Sequence, residues 1–433
     1  MRTIDISKLL RPSQSPSELS NAINNAIAGL AGEGGGELFF PQGEYVCGSI
    51  ELQDNTSLRL AKGAVLKAST NIDDFFLDET VAPGLLRRYF IYALGRKNVK
   101  VCGEGVIDGS GRAFWEDVFF SGRPADNPLE LTCILQYDVL KPKADRHVLM
   151  YFGSCSDIEV CGVTLKSSPS YTVWTVDCAD VIIDGVTLRN PRIGPNTDGL
   201  DIDCTERVKI SNCDIDAGDD CIALKSDPNR RGNLRPCQDI EISNCTLSSS
   251  TCAIRLGYEG DAPLRRVRCH DCVMRDSRIG IDILSIKPNS RMKIEHGTPM
   301  DDIVFEDIVM RHVGQAFYIW CGNEPPMKGY DAHLRDVHFR RMDIESEATS
   351  YIGGECPQAI SGMCFEDIKM TVKNSLCIKD TENPDTTVPC HWSAHHKCGG
   401  LRFNGNAPAL LSNVKVTCLQ PGWPDIIIVN SNK

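Results

Sequence analysis

The sequence predicts an all-β solenoid, a parallel β-helix capped by one helix, and three observations predict it. First, the fragments "VKVCGEGVIDGS", "IEVCGVTLKSSP", "VIIDGVTLRNP", "VKISNCDIDAG", "IEISNCTLSSS", "VRCHDCVMRDS", "IVFEDIVMRHV" and "MCFEDIKMTVK" are variations on one phrase. Each is apolar-x-apolar, a tight turn at Gly, Asn or Asp, then apolar-x-apolar. They begin at Val99, Ile158, Val181, Val208, Ile240, Val267, Ile303 and Met363, with a weaker copy near Val337. From Ile158 onward the spacing is about 23 to 36 residues, as for a solenoid with inserted loops. Second, period-2 alternation in runs this short means strands. One such unit cannot bury its apolar face alone, so successive units must stack. Third, the front end has a different period, that of a helix.

That helix comes first in chain order. "SPSELSNAINNAIAGLAG" opens with a capping box, Ser15 as N-cap and Glu18 three residues on, with Pro16 at the first helical position. An amphipathic helix here covers the open end that a stack of strands would otherwise expose. The following "GGGELFFPQGEYVCGSIELQDNTSLRLAKGAVLKAST" supplies the first coils. Long insertions at Trp115 to Val148 and Lys287 to Met300 are too polar and proline-bearing for core, and read as loops walling a binding face. The chain is thus expected to form one domain over residues 1–433, with a cap over about 1–35 and coils over about 36–420.

Hydrophobic content of 42% and charged content of 24% are those of an ordinary globular chain. A net charge of −12 argues against nucleic acid or an anionic membrane as main partner. No run approaches the roughly 18 apolar residues of a membrane span. The segment "MRTIDISKLLRPSQ" lacks an apolar signal region, so the chain as given reads as cytoplasmic, or as secreted or periplasmic if the N-terminus was trimmed. The 21 cysteines are expected as reduced, interior thiols, because many sit inside strand-like runs. "CHWSAHHKC", from Cys390 to Cys398, fits no common zinc spacing, and neither metal nor cofactor is expected.

Seven aspartates crowd between Asn196 and Lys225. Residues one coil apart in a parallel solenoid lie about 4.8 Å apart. Asp198 and Asp219 are 21 positions apart, about one coil, so Asp198 is placed near the Asp219–Asp220 pair, on an exposed face. Alternation in "GLDIDC" sends Leu200 and Ile202 inward. Asp219 and Asp220 can share a face only if the chain bends, which the preceding "AG" permits. Three carboxylates so close cannot all ionise easily, and at least one is expected to hold its proton above the usual range. That separation suits glycoside hydrolysis, which needs one carboxylic acid and one carboxylate. Asp201, Asp203, Asp214 and Asp216 are read as turn residues between strands.

The stretch "SSPSYTVWTVDCADVIIDGVTLRNP…GPNTDGLDID…AGDDCIALKS" closely resembles the polygalacturonase family, glycoside hydrolase family 28. The "GGGELFFPQGEYVCGSIEL" and "GVIDGSGRAFW" segments are similar to its opening coils, so the resemblance runs from about Ala22 to about Trp320. It implies a right-handed parallel β-helix and hydrolysis with inversion. It further implies Asp219 as general acid, with Asp198 and Asp220 positioning and activating water, and Asn196 beside them as a substrate ligand. Two motifs depart. The family's Gly-His-Gly histidine position holds Cys252, and its Arg-Ile-Lys positions hold Asp282, Ile283 and Leu284. Arg255 is a candidate sugar or carboxylate ligand, or a surface arginine. Lys225 matches the family lysine, as a ligand or as one half of an ion pair. Tyr318 and Trp320 are candidates to stack on a sugar, or interior aromatics.

The resulting expectation is an inverting, exo-acting glycosidase on pectin-type glycans, its specificity shifted from plain polygalacturonate. The competing readings are a non-catalytic carbohydrate-binding β-helix and a β-eliminating lyase. All three take a carbohydrate partner.

Overall fold

In the computed structural model, which describes residues 2–81, 85–125, 138–227, 235–286, 294–322, 332–354, 359–373, 399–404 and 409–429, the repeated phrase becomes a coil. The fold is the right-handed parallel β-helix with an N-terminal capping helix. The chain divides into two units, Met1–Glu130 with Asp138–Asp220, and Leu131–Tyr137 with Cys221–Lys433.

In the first unit the helix spans Pro16–Gly32, and both halves of its capping box are present. The Ser15 N–H donates to Glu18 Oε2 at 2.7 Å, and the Glu18 N–H to Ser15 Oγ at 3.3 Å. Leu19, Ile23, Ile27 and Leu30 are buried, one stripe at helical spacing. A strand absent from the sequence reading, Arg2–Asp5, pairs in parallel with Gly36–Phe40. Behind it the register is regular. Val99, Ile158, Val181 and Val208 stack in one ladder, Leu66, Ile107, Leu165, Leu188 and Ile215 in a second. Ile91, Met150, Val173 and Leu200 form a third. The Trp115 to Val148 insertion contains an antiparallel pair, Trp115–Phe119 with Leu140–Pro142. Against expectation it is partly core, because Trp115 and Phe119 are buried.

The second unit repeats the pattern. Leu224, Leu256, Ile283, Ile319, Ile352, Phe403 and Ile428 form one ladder. Ile242, Cys269, Phe305, Phe339 and Phe365 form another, with Phe339 stacked on Phe365 at 4.7 Å. The strand Pro299–Val313 begins inside the stretch read as a loop. The Cys390 to Cys398 cluster lies outside the described residues.

The turn residues of the phrase earn their identity by backbone conformation. Gly162, Gly185, Asn212, Asn244, Asp271, Asp307, Asp367 and Asn413 all have φ between 51° and 73°. There Gly is strain-free and Asn or Asp tolerable. Three arginines also adopt it: Arg207, Arg266 and Arg341. Each grips, with two bonds, an aspartate of the coil before. The distances are 2.7 and 3.0 Å to Asp180, 2.5 and 2.8 Å to Asp239, and 2.8 and 2.7 Å to Asp307. The Arg207 and Arg341 guanidiniums hold Asp180 and Asp307 below the usual carboxylate range.

All sixteen described cysteines are free thiols, and twelve of them are buried. Cys102, Cys161 and Cys364 are half-exposed instead, since alternation turns them outward next to buried Val101, Val160 and Phe365. Titration in denaturant without reductant is therefore expected to count sixteen or more reactive thiols, and added reductant to leave the melting temperature unchanged. A count in which most sulfurs fail to react would mean a disulfide framework.

His147 is fully buried in the first unit, stacked on Phe75 at 4.1 Å and edge-on to Phe114 at 5.0 Å. Burial, opposed in part by the Gly109 backbone, pushes its pKa down from 6.5 to about 3. Between those values the unfolded chain binds the proton and the folded chain does not. Stability from this group is therefore full above pH 6.5 and lost as pH falls toward 3, by at most about 1.4 kcal/mol per pH unit. His147→Phe is expected to flatten the acid limb of the stability curve; an unchanged slope would show that the histidine charges within the fold.

Candidate active site

The segment that carries Asp198 is fastened before it reaches the carboxylate. Ser168 N–H donates to Asn190 Oδ1 at 2.9 Å, and Asn190 Nδ2 donates to Thr172 Oγ1 at 2.8 Å and to the Thr197 carbonyl at 3.2 Å. The Thr197 hydroxyl donates to the Gly194 carbonyl at 3.0 Å. The Asp198 carbonyl accepts from both the Thr172 N–H, at 3.0 Å, and the Thr172 hydroxyl, at 2.7 Å.

The next coil meets this segment at Gly218. A Cβ there would lie 2.3 Å from Thr197 Oγ1 and 2.4 Å from the Pro191 carbonyl oxygen, so only glycine lets the two coils approach. The strand Asp214–Ala217 ends just before. Residues 218–221 are irregular, strand alternation no longer applies, and Asp219 and Asp220 reach the same side. The Gly199 N–H ties to the Asp220 carbonyl at 2.8 Å, and the Asp220 N–H to Asp219 Oδ1 at 3.1 Å.

The result is a cluster in which one oxygen each of Asp198, Asp219 and Asp220 lies within 4.8 Å of the other two. Such spacing also matches what a cation would need. The three are 3%, 8% and 1% exposed, far more buried than expected from an outer face. The outward rows of the first unit's strands are packed with aromatics, Tyr89 on Tyr151 at 4.1 Å and Trp174 edge-on to Tyr151 at 5.3 Å.

Asp201 and Asp203 are not turn residues. They lie in the strand Leu200–Asp203, fully buried, in register with Trp174 and Val176. Their alternation was legible in "GLDIDC"; the cover over their face was not. Asp214 and Asp216 also belong to a strand, ion-paired with Arg189 and Arg192. Asn196 is exposed, two residues before Asp198, at φ 52°.

The remaining sequence candidates belong to the second unit. Lys225 is paired with Glu259 at 3.5 Å. Arg255 Nε donates to Asp282 Oδ2 at 3.0 Å, and its Nη2 to Cys252 Sγ at 3.0 Å. Cys252 Sγ in turn lies 3.3 Å from Asp282 Oδ2, and the guanidinium sits 5.3 Å from the Tyr258 ring. Arg255 is thus a paired, buried cation rather than a surface arginine. Tyr318 and Trp320 are 2% and 5% exposed, both stacked on Tyr351, with their faces packed against protein.

A sequence profile of glycosyl hydrolases family 28 matches residues 37–390. The chain is 29% identical over 372 residues to a probable polygalacturonase of Vitis vinifera, covering 81% of this chain and 70% of that protein. It is 33% identical over 371 residues to a polygalacturonase of Juniperus ashei, covering 76% of this chain and 66% of that one. Among solved structures, the family 28 exopolygalacturonase of Yersinia enterocolitica superposes with a TM-score of 0.68 at 16% identity, covering 100% of this chain and 78% of that one. At that identity the likeness is one of fold.

Proposed function

The chain belongs to glycosyl hydrolases family 28 and is a glycosidase of pectin-type glycans, and on that premise we propose that it inverts the anomeric centre and removes residues from a chain end that is not plain polygalacturonate. The carrying observation is the cluster of three carboxylates within 4.8 Å. Two O–H···O bonds of about 2.75 Å meeting at one tetrahedral water span about 4.5 Å, which suits a water shared by two carboxylates. Asp198 and Asp220 take that role, polarising the water for attack. Asp219 is the acid for the leaving oxygen. Its Oδ1 accepts the Asp220 N–H, so the proton sits on Oδ2. Inversion rests on family membership. Proton spectroscopy of the first-formed product tests it, because retention of configuration would require one aspartate to act as nucleophile.

The substrate reading rests on the second unit. A desolvated, unpaired carboxylate costs several kcal/mol, so a site for a uronate needs a spare cation. Here Asp282 and Leu284 stand at the basic motif positions and are buried, and the charge of Arg255 is met by Asp282. A neutral or mixed end, such as a rhamnose-terminated pectic oligosaccharide, is therefore the better substrate. The likeness to an exopolygalacturonase of Zea mays, 23% identical over 385 residues, supports exo action. Rapid loss of viscosity from long polygalacturonate, ahead of reducing-sugar release, would sink both parts. EDTA is expected to leave activity intact and no unsaturated product to absorb in the ultraviolet; the opposite pair of results would indicate a lyase.

A further inference from the structure

Arg146, half-buried just before the strand His147–Gly153, holds the segment that leads into Asp198. Its Nη1 donates to the Pro195 carbonyl at 2.5 Å and to the Pro169 carbonyl at 3.2 Å, and its Nη2 donates to Asn196 Oδ1 at 2.7 Å. Trp115 Nε1 shares the Pro169 carbonyl at 3.0 Å. One planar guanidinium thus grips both residues that precede Thr197. Asn196 adopts φ 52°, a left-handed conformation that asparagine tolerates.

The geometry points to Arg146 as a positioning residue that fixes the Asn196–Asp198 segment and sets which end of the Asn196 amide meets the sugar. An amide side chain has an acceptor end and a donor end of nearly the same shape. A guanidinium only donates, so Oδ1 must face Arg146, and a charge-assisted bond makes the choice firm. The exposed Nδ2 then keeps its two hydrogens for an acceptor oxygen of the substrate. The same grip sets where Asp198 stands, two residues on. This inference rests on the hydrolytic reading of the aspartate cluster.

The test combines kinetics with hydrogen exchange on the full chain. Arg146→Ala is expected to lower kcat about a hundredfold, the usual cost of a misplacement near 1 Å. Millimolar guanidinium should restore part of it, which no general loss of structure would allow. Asn196→Asp keeps an acceptor for Arg146 but removes the donors, so KM should rise about tenfold or more with an unchanged melting temperature. Arg146→Lys keeps the charge but not the planar fork, should fall between, and carries the test if the alanine variant does not fold. Exchange across residues 194–199 should quicken at least tenfold in Arg146→Ala. Unchanged exchange overturns the inference whatever the activity, and so does faster exchange with unaltered kcat and KM. A wild-type protein inactive on every pectic oligosaccharide overturns the hydrolytic reading, while exchange still decides whether Arg146 holds the segment.

Discussion

Asp219→Asn is expected to lower turnover by about 10²- to 10⁴-fold while the protein melts at an unchanged temperature. Asparagine keeps the volume, and its Oδ1 can still accept the Asp220 N–H that Asp219 accepts at 3.1 Å. What disappears is the proton for the leaving oxygen. Because the acid is already neutral, the exchange leaves the charge of the buried cluster as it is, and the fold should hold. The measurements are kcat on the preferred oligosaccharide and a melting curve. A variant that keeps more than about a tenth of the activity would mean that the proton comes from another group.

Gly218→Ala is expected to cost both stability and activity, because its methyl group falls where the two coils of the site touch. The new Cβ would meet Thr197 Oγ1 at 2.3 Å, the Pro191 carbonyl oxygen at 2.4 Å and the Gly194 carbonyl oxygen at 2.9 Å. Two of these three are backbone atoms, so no rotamer change relieves the clash. Overpacking of this kind costs about 1–3 kcal/mol of stability. The coils carrying Asp198 and Asp219 must also separate, and a shift near 1 Å costs about a hundredfold in rate. Gly29→Ala is the control, since a helical Cβ there meets nothing within 4 Å and alanine should stabilise the helix by about 0.5–1 kcal/mol. Equal behaviour of the two variants would refute the close approach as the source of the site's geometry.

Much of this arrangement was legible in the sequence because a repeat protein writes its register into its spacing. The 21 positions between Asp198 and Asp219 correspond to one coil, and the capping box of Ser15 and Glu18 marked the helix to the residue. The pair Arg255 and Asp282 spans 27 positions, the interval that separates Ile240 from Val267, yet the sequence reading leaves Arg255 as a ligand or a surface arginine. Other features leave no such mark. Asp201 and Asp203 alternate with inward Leu200 and Ile202, but alternation says nothing about burial, and both are buried in register beside Trp174 and Val176. Nor could spacing show that Tyr318 and Trp320 pack against Tyr351. Arg146 carries no motif signal, since two of its three acceptors are backbone carbonyls and the third lies 50 positions away.

The arginines at left-handed turn positions have a consequence for folding. Coils that are near copies of one another share the same apolar pattern, so hydrophobic stacking alone does not tell a strand which neighbour to join. Holding a non-glycine residue in that conformation costs about 1–2 kcal/mol, and only the proper neighbour returns it through a two-bonded aspartate, as Asp180 does for Arg207, Asp239 for Arg266 and Asp307 for Arg341. A coil that skipped its neighbour would keep the strain and lose the partner. These pairs act as address labels, spending local strain to discriminate between otherwise interchangeable docking partners during assembly.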